Sequence, residues 1–434
     1  MIRAALLLTA ALFAAPATAQ TVAIVNGTVA VGDGSQPIPN GTVVFRDGRI
    51  VAAGADVDVP AGATVVDAAG RWVAAGTVAG FTGLGLTDGG YGVQENNDAQ
   101  AAKSPFGAAL DVAPAINPAA SAFGNERMGG LTRAFVVPEA GMSIFGGQGA
   151  VVDLGNDPQP VTRARAFQFV ELGQRGAEIA GGSRPATFAS LRDAFAQAQD
   201  YRRDPAGFDG RGRDALLTRA DAQALLDVLD GRTPLLVHAE RASDIRAVLA
   251  LPREYPRLRL VLLGASEGWT IASEIAAARV PVIAAAPNDL PASFEQIANT
   301  ESNIARLTRA GVVTALSTAG VNTAPGEHIL TQYAGNLVAL AKVPGATGLN
   351  WGEAFATITS KPAQALGMDG EIGSLRPGRR ADVVIWTGDP LEVTSAPLAV
   401  YIDGAAQPAT SRQRRLRDRY MTPNEGALPK AYER

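Results

Sequence analysis

Leu235-Leu236-Val237-His238-Ala239-Glu240 is the stretch on which the fold turns. Three apolar residues run into a histidine and an acid, which is how a buried strand ends at a polar rim. The preceding segment, 218–229, carries Leu, Ala and Val at helical spacing. A buried strand after an amphipathic helix is half of a βαβ unit. The pattern repeats outward in both directions. Further apolar runs lie at 134–137, 258–263, 280–285 and 312–316, with helical patterns at 268–278 and 294–310. Strands buried on both faces and alternating with helices imply a parallel sheet. Repeated this often, they predict an α/β chain built on a (β/α)8 TIM-type barrel, with site residues at the C-terminal strand ends.

The flanks read differently. From 22 to 67, short strands alternate with the turn signals Asn26-Gly27, Gly32-Asp33-Gly34 and Asp47-Gly48. Strands return at 381–386 and 399–403, around Gly388-Asp389-Pro390. The two groups are expected to join as one small discontinuous β-sandwich. This gives a composite sandwich at 20–75 and 371–410, a barrel at 76–370 and a tail at 411–434. The tail is arginine-rich from Arg412 to Arg419 and reads as a solvated helix rather than a binding patch.

Residues 1–19 read as a signal peptide. Arg3 precedes an apolar run, and Ala17-Thr18-Ala19 supplies a small-x-small cleavage pattern. The expected location is therefore secreted or periplasmic, with no transmembrane segment after removal of the leader. The 434 residues carry a net charge of −4, with no basic patch in the body of the chain, which argues against nucleic acid as a partner. With no cysteine, disulfides, thiolate metal sites and cysteine nucleophiles are excluded. Only two histidines are present, His238 and His328.

Longer motifs carry a family resemblance. Val65-Val66-Asp67-Ala68-Ala69-Gly70-Arg71-Trp72-Val73-Ala74-Ala75-Gly76 resembles the lead-in to the first barrel strand of the amidohydrolase superfamily. Gly373-Ser374-Leu375-Arg376-Pro377-Gly378-Arg379-Arg380-Ala381-Asp382-Val383-Val384 is similar to its return into the sandwich. Gly388-Asp389-Pro390-Leu391 and Gly146-Gly147-Gln148-Gly149-Ala150-Val151 resemble the exported imidazolonepropionase-like subgroup. The resemblance implies a metal-dependent hydrolase of non-peptide carbon–nitrogen bonds.

It also implies metal ligands, and most are missing. The first strand of the family ends in His-x-His, where this chain has Phe81 and Gly83. The sixth-strand histidine is Gly264, and the eighth-strand aspartate is Ala319. A bridging lysine is excluded too, because Lys103, Lys342, Lys361 and Lys430 are the only lysines. His238 alone remains as a residual ligand. A catalytic zinc needs about three protein ligands and a water, so no metal cofactor is expected unless a site has been rebuilt. His238, Glu240 and Glu267, with Asp88, Glu95 and Asp98, are the residues available for that. Phe81, Gly83, Glu240, Gly264, Glu267 and Ala319 are expected to line the pocket. Ser143 and Ser317 lie outside a nucleophile elbow, and Gly146-Gly147-Gln148-Gly149 lacks dinucleotide-binding context.

Three readings stay open. One is a catalytically silent scaffold, alone or as a homo- or hetero-oligomer with a related amidohydrolase. The second is an active hydrolase of cyclic amides or small peptide-like substrates with zinc or another divalent ion. The third is a periplasmic protein that binds a small-molecule ligand.

Overall fold

A computed structural model describes residues 21–90, 93–209, 215–319 and 326–421. The expected leader lies outside these residues, as do residues 422–434 of the tail and the side chain of Glu95.

The N-terminal strands are β1 (Thr21–Ala30), β2 (Ile38–Arg46), β3 (Arg49–Gly54), β4 (Thr64–Asp67) and β5 (Trp72–Ala75). The barrel region contributes β6 (Thr77–Thr82), a hairpin of β7 (Thr87–Gly90) and β8 (Val93–Asn97), then β9 (Leu131–Val136), β10 (Phe145–Asp153) and β11 (Val161–Glu171). It continues with β12 (Leu235–Ala239), β13 (Leu260–Gly264), β14 (Val282–Ala284) and β15 (Thr314–Leu316). The chain closes with β16 (Val383–Trp386), β17 (Pro397–Ile402) and β18 (Ala405–Ala406).

Two eight-stranded sheets organise these strands. The first joins both ends of the chain in the order β18-β17-β16-β5-β1-β2-β3, with β4 branching from β1. The junction is antiparallel, Val383 facing Ala75 and Trp386 facing Trp72. Asn26-Gly27, expected as a turn, lies inside β1. Asn26 takes φ 57°, and β1 changes partner there, from β4 at 22–25 to β5 at 28–30. A Cβ on Gly27 would stand 2.6 Å from Val73, so the bulge admits only glycine. Asp47-Gly48 does turn, with both residues at positive φ.

The second sheet is the barrel, in the order β15-β14-β13-β12-β11-β10-β9-β6. It is parallel except for β10, which runs antiparallel to both neighbours. The links 137–144 and 154–160 explain this exception to the expected parallel sheet: both fall short of the dozen or so residues of a parallel crossover. β6 and β15 do not pair with each other. The chain at 357–358 bridges them, Val78 N donating to Ile358 O at 2.8 Å and Leu316 N to Thr357 O at 2.9 Å.

Side-chain alternation separates two cores. Phe135, Val151, Phe167, Phe169, Leu236, Val261, Leu263 and Ile283 fill the barrel interior. Val237, Leu262, Val282 and Leu316 belong to the outer core that includes the helices. Helix Arg219–Leu229 starts at Thr218, whose hydroxyl accepts from Asp221 N while Asp221 accepts in return, a capping box. Among the described residues no helix is long and apolar enough to cross a membrane.

Arg133 on β9 locks the two sheets together. It is buried, and its guanidinium donates to Asp382 twice at 2.8 Å and to Asp403 at 2.7 Å. Burial alone would favour the neutral form, but the surrounding carboxylates outweigh it and raise the pKa.

Candidate functional site

The site grows from adjacent strand ends. β11 and β12 are parallel neighbours, and Glu171 pairs in register with His238. Glu171 closes one apolar run and His238 stands near the end of the next, so both reach the C-terminal rim. His238 Nδ1 lies 2.7 Å from Glu171 Oε2, and its Nε2 lies 3.1 Å from Glu240 Oε1. Glu240 is buried, and its second oxygen accepts from Ser266 N at 2.8 Å.

This arrangement fixes the charge state. Burial disfavours the imidazolium, but the two carboxylates outweigh it and hold the His238 pKa well above its usual 6.5. Burial pushes Glu240 upward, and the hydrogen bonds and charge from His238 and Ser266 bring it below its ordinary value. The ring therefore sits between two anions, with both nitrogens donating.

Glu295 borders this network. It accepts from Gln174 N at 2.8 Å and from Arg184 at 3.0 Å. Burial raises its pKa despite those bonds. Arg184 continues to Asp244 at 2.6 Å.

The positions at which the resemblance led metal ligands to be expected have distinct surroundings. Phe81 packs against the barrel-interior core. Gly83 faces open space: a Cβ there would meet nothing within 4 Å. Gly264 adopts φ +87°, and a Cβ on it would land on the Glu240 carboxylate. Gly264 therefore leaves no void, because Glu240 has taken that space. Ala319 is buried at the rim, and its amide donates to Ser317 Oγ. Glu267 touches the network only through its backbone, its amide donating to Glu240 O at 3.0 Å. Its carboxylate accepts from Ala242 N at 3.0 Å and Ala298 N at 3.2 Å, fixing loops. Asp88 accepts from Ser121 Oγ at 3.2 Å.

A catalytic zinc does not fit these residues. Phenyl, glycine and methyl groups have no donor atom, and both ring nitrogens of His238 already face carboxylates. Among the described residues no group of three His, Asp or Glu side chains is arranged to hold a metal ion.

Next to the network lies an uncharged cleft of about 330 Å³. Its walls include Ser266, Ala285, Asn288, Gln296, Ala319 and Tyr333, from the rims of β13, β14 and β15 and the helix beyond. Of the six residues expected to line a pocket, Ala319 lines this one; Phe81, Gly83, Glu240, Gly264 and Glu267 do not. Ser266 joins cleft and network, since its amide holds Glu240.

His328 stands half exposed in the turn Glu327–Ile329 and bonds to Glu126 at 3.1 Å. Glu327 beside it is buried. Desolvation and the nearby Glu126 raise its pKa to about 7. Ser317 donates to Ala284 O, a structural bond at 2.7 Å.

Glu171 was not apparent in the sequence reading. Its signal is a lone acid ending the apolar run 166–172, but this matters only once β11 is known to lie beside β12. The helpers Glu295 and Arg184 lie far from His238 in sequence and carry no local mark.

Comparison with known proteins agrees with this architecture. The sequence profile of the Amidohydrolase family matches residues 63–406. "Amidohydrolase tasK" of Hapsidospora irregularis is 24% identical over 402 residues, covering 85% of this chain and 39% of that protein. An imidazolonepropionase of Maricaulis maris (strain MCS10) is 30% identical over 199 residues, covering 45% of this chain and 44% of that protein. The chain thus spans roughly two fifths of the length of these two relatives. The solved structure of an amidohydrolase from Thermotoga maritima MSB8 matches with TM-score 0.76 at 25% identity, covering 89% of this chain and 99% of that one. A barrel stitched at 357–358, a terminal sheet built from both chain ends and a profile match across most of both lead to one placement: the chain belongs to the amidohydrolase family.

Proposed function

We propose that this chain is a catalytically silent member of its family, exported by its N-terminal leader, that binds a small uncharged polar molecule at the barrel mouth. The observation that carries this reading is the double commitment of His238. Its two nitrogens face Glu171 and Glu240, and Glu240 fills the space beside Gly264. Family hydrolysis needs a metal to lower the pKa of water and an aspartate to take its proton. Here Ala319 replaces the aspartate, and the remaining histidine is held as a cation.

The neighbouring cleft supports the binding half of the proposal. It offers amide and hydroxyl groups from Asn288, Gln296, Asn299, Ser266 and Tyr333, and no charged side chain. Its volume lies at the lower end of small-molecule sites. A neutral amide or lactam, the kind of molecule relatives hydrolyse, matches that lining.

Metal content beside amidase activity tests the first half. After zinc loading and desalting, elemental analysis should find below about 0.2 zinc per chain, far short of a full site, and no hydrolysis of cyclic amides. Stoichiometric zinc with turnover would establish the active-hydrolase reading instead. For the second half, a neutral-lactam screen by thermal shift should give hits that Ala319→Trp abolishes.

A further inference from the structure

A second cleft, of about 370 Å³, shares no lining residue with the His238 network. Its walls are Asp88, residues 118–121, Arg127, residues 155–157, Thr410, Ser411, Arg412 and Arg415. Two helices begin there. One is Ser121–Met128, whose N-cap residue Ala120 offers no side chain to its first amides. The other is Arg412–Met421, begun by Ser411, whose hydroxyl accepts from Arg414 N at 3.2 Å. The uncapped start at Ser121 presents N–H groups and the positive end of the dipole.

Arg127 is the independent observation. It is 5% exposed. One Nη donates to Leu154 O at 3.0 Å, while Nε has no partner. No carboxylate pairs with it among the described residues, and burial alone lowers its pKa. A buried guanidinium without a counter-ion is costly, and an anion in the cleft it lines would relieve that cost. Arg412 and Arg415 lie exposed on the same wall.

We infer that this cleft binds a phosphate group, free or carried as the monoester of a small polyol. Three guanidinia and one uncapped helix start suit a compact dianion better than a singly charged carboxylate. The volume exceeds that of a bare oxyanion and falls at the lower limit of small-molecule sites. Asp88 and Asp157 stand on the same walls as acceptors, suited to hydroxyl groups beside the phosphate.

Isothermal titration of the full chain tests this with inorganic phosphate, glycerol 3-phosphate and acetate. Phosphate or its monoester should bind saturably and more tightly than acetate. The variant Arg412→Ser/Arg415→Ser should weaken it by about tenfold or more, as expected for losing charge-assisted bonds. The control Arg417→Ser/Arg419→Ser removes equal charge from the same helix at residues that do not line the cleft, Arg417 being paired with Asp418, and should weaken binding less than the first variant does, because it removes no direct contact. Tighter binding of glycerol 3-phosphate would assign the site to a phosphorylated polyol, and equal binding to free phosphate. Absence of saturable binding, acetate binding as well as phosphate, or equal loss in both variants would overturn the inference.

Discussion

At position 264 a side chain has nowhere to go. The backbone is at φ +87°, and the Glu240 carboxylate occupies the Cβ direction. Gly264→Ala should therefore cost about 2–4 kcal/mol, combining left-handed strain with displacement of a buried acid. Gly83→Ala meets open space and should stay within about 0.5 kcal/mol. Urea unfolding of both variants checks the contrast, and equal costs would refute the claim that only one glycine is structurally required. Glu327 gives a pH prediction. Its pKa is raised from 4.5 to about 7, so the folded state binds that proton more tightly than the unfolded chain. The stabilisation is complete below 4.5 and disappears as pH rises through 7. Between pH 4.5 and 8 the wild type should lose about 3 kcal/mol on this account, and Glu327→Gln should keep it. Unfolding curves at the two pH values would show the difference; parallel losses in both proteins would reject it.

The Glu171–His238 rung belongs to the scale of paired strands. It exists because β11 and β12 run parallel in register. With two histidines in the chain, imidazole resonances in NMR can be followed individually. One should titrate well above 6.5, and Glu171→Gln should move that midpoint down while leaving His328 unchanged. An unmoved midpoint would show that Glu171 does not hold the charge. The strands carrying His238 and Gly264 were legible because runs such as 235–237 and 260–263 are apolar on both faces. The direction of β10 was not, since strand polarity depends on link length and not on the strand's own residues. Asn26-Gly27 was misread for a related reason. A left-handed Asn before Gly serves a bulge as well as a turn, and only the position of β5 decides which. The ligand losses expected at Phe81, Gly83, Gly264 and Ala319 rest on motif resemblance alone, whereas Glu240's use of the space beside Gly264 required coordinates.

At the scale of the whole molecule, the barrel and the terminal sheet meet at Arg133. Its partners Asp382 and Asp403 come from the far end of the chain. Arg133→Met would strand those carboxylates and should cost about 3–5 kcal/mol. Arg192→Met, which breaks the exposed pair with Glu254, should cost under about 1 kcal/mol. Chemical unfolding of the two variants measures this, and comparable losses would deny Arg133 its role as the tie between sheets.

The seam at 357–358 also governs how the molecule is made. During synthesis β6 emerges early, but the carbonyl that receives Val78's amide comes from Ile358, and β5 waits for β16 at 383–386. Until the final fifth of the message is translated, both sheets present open edges, which are templates for aggregation. A chain cut short before residue 357 would therefore keep neither closure, and one cut between 359 and 382 would keep the barrel seam but leave β5 without β16.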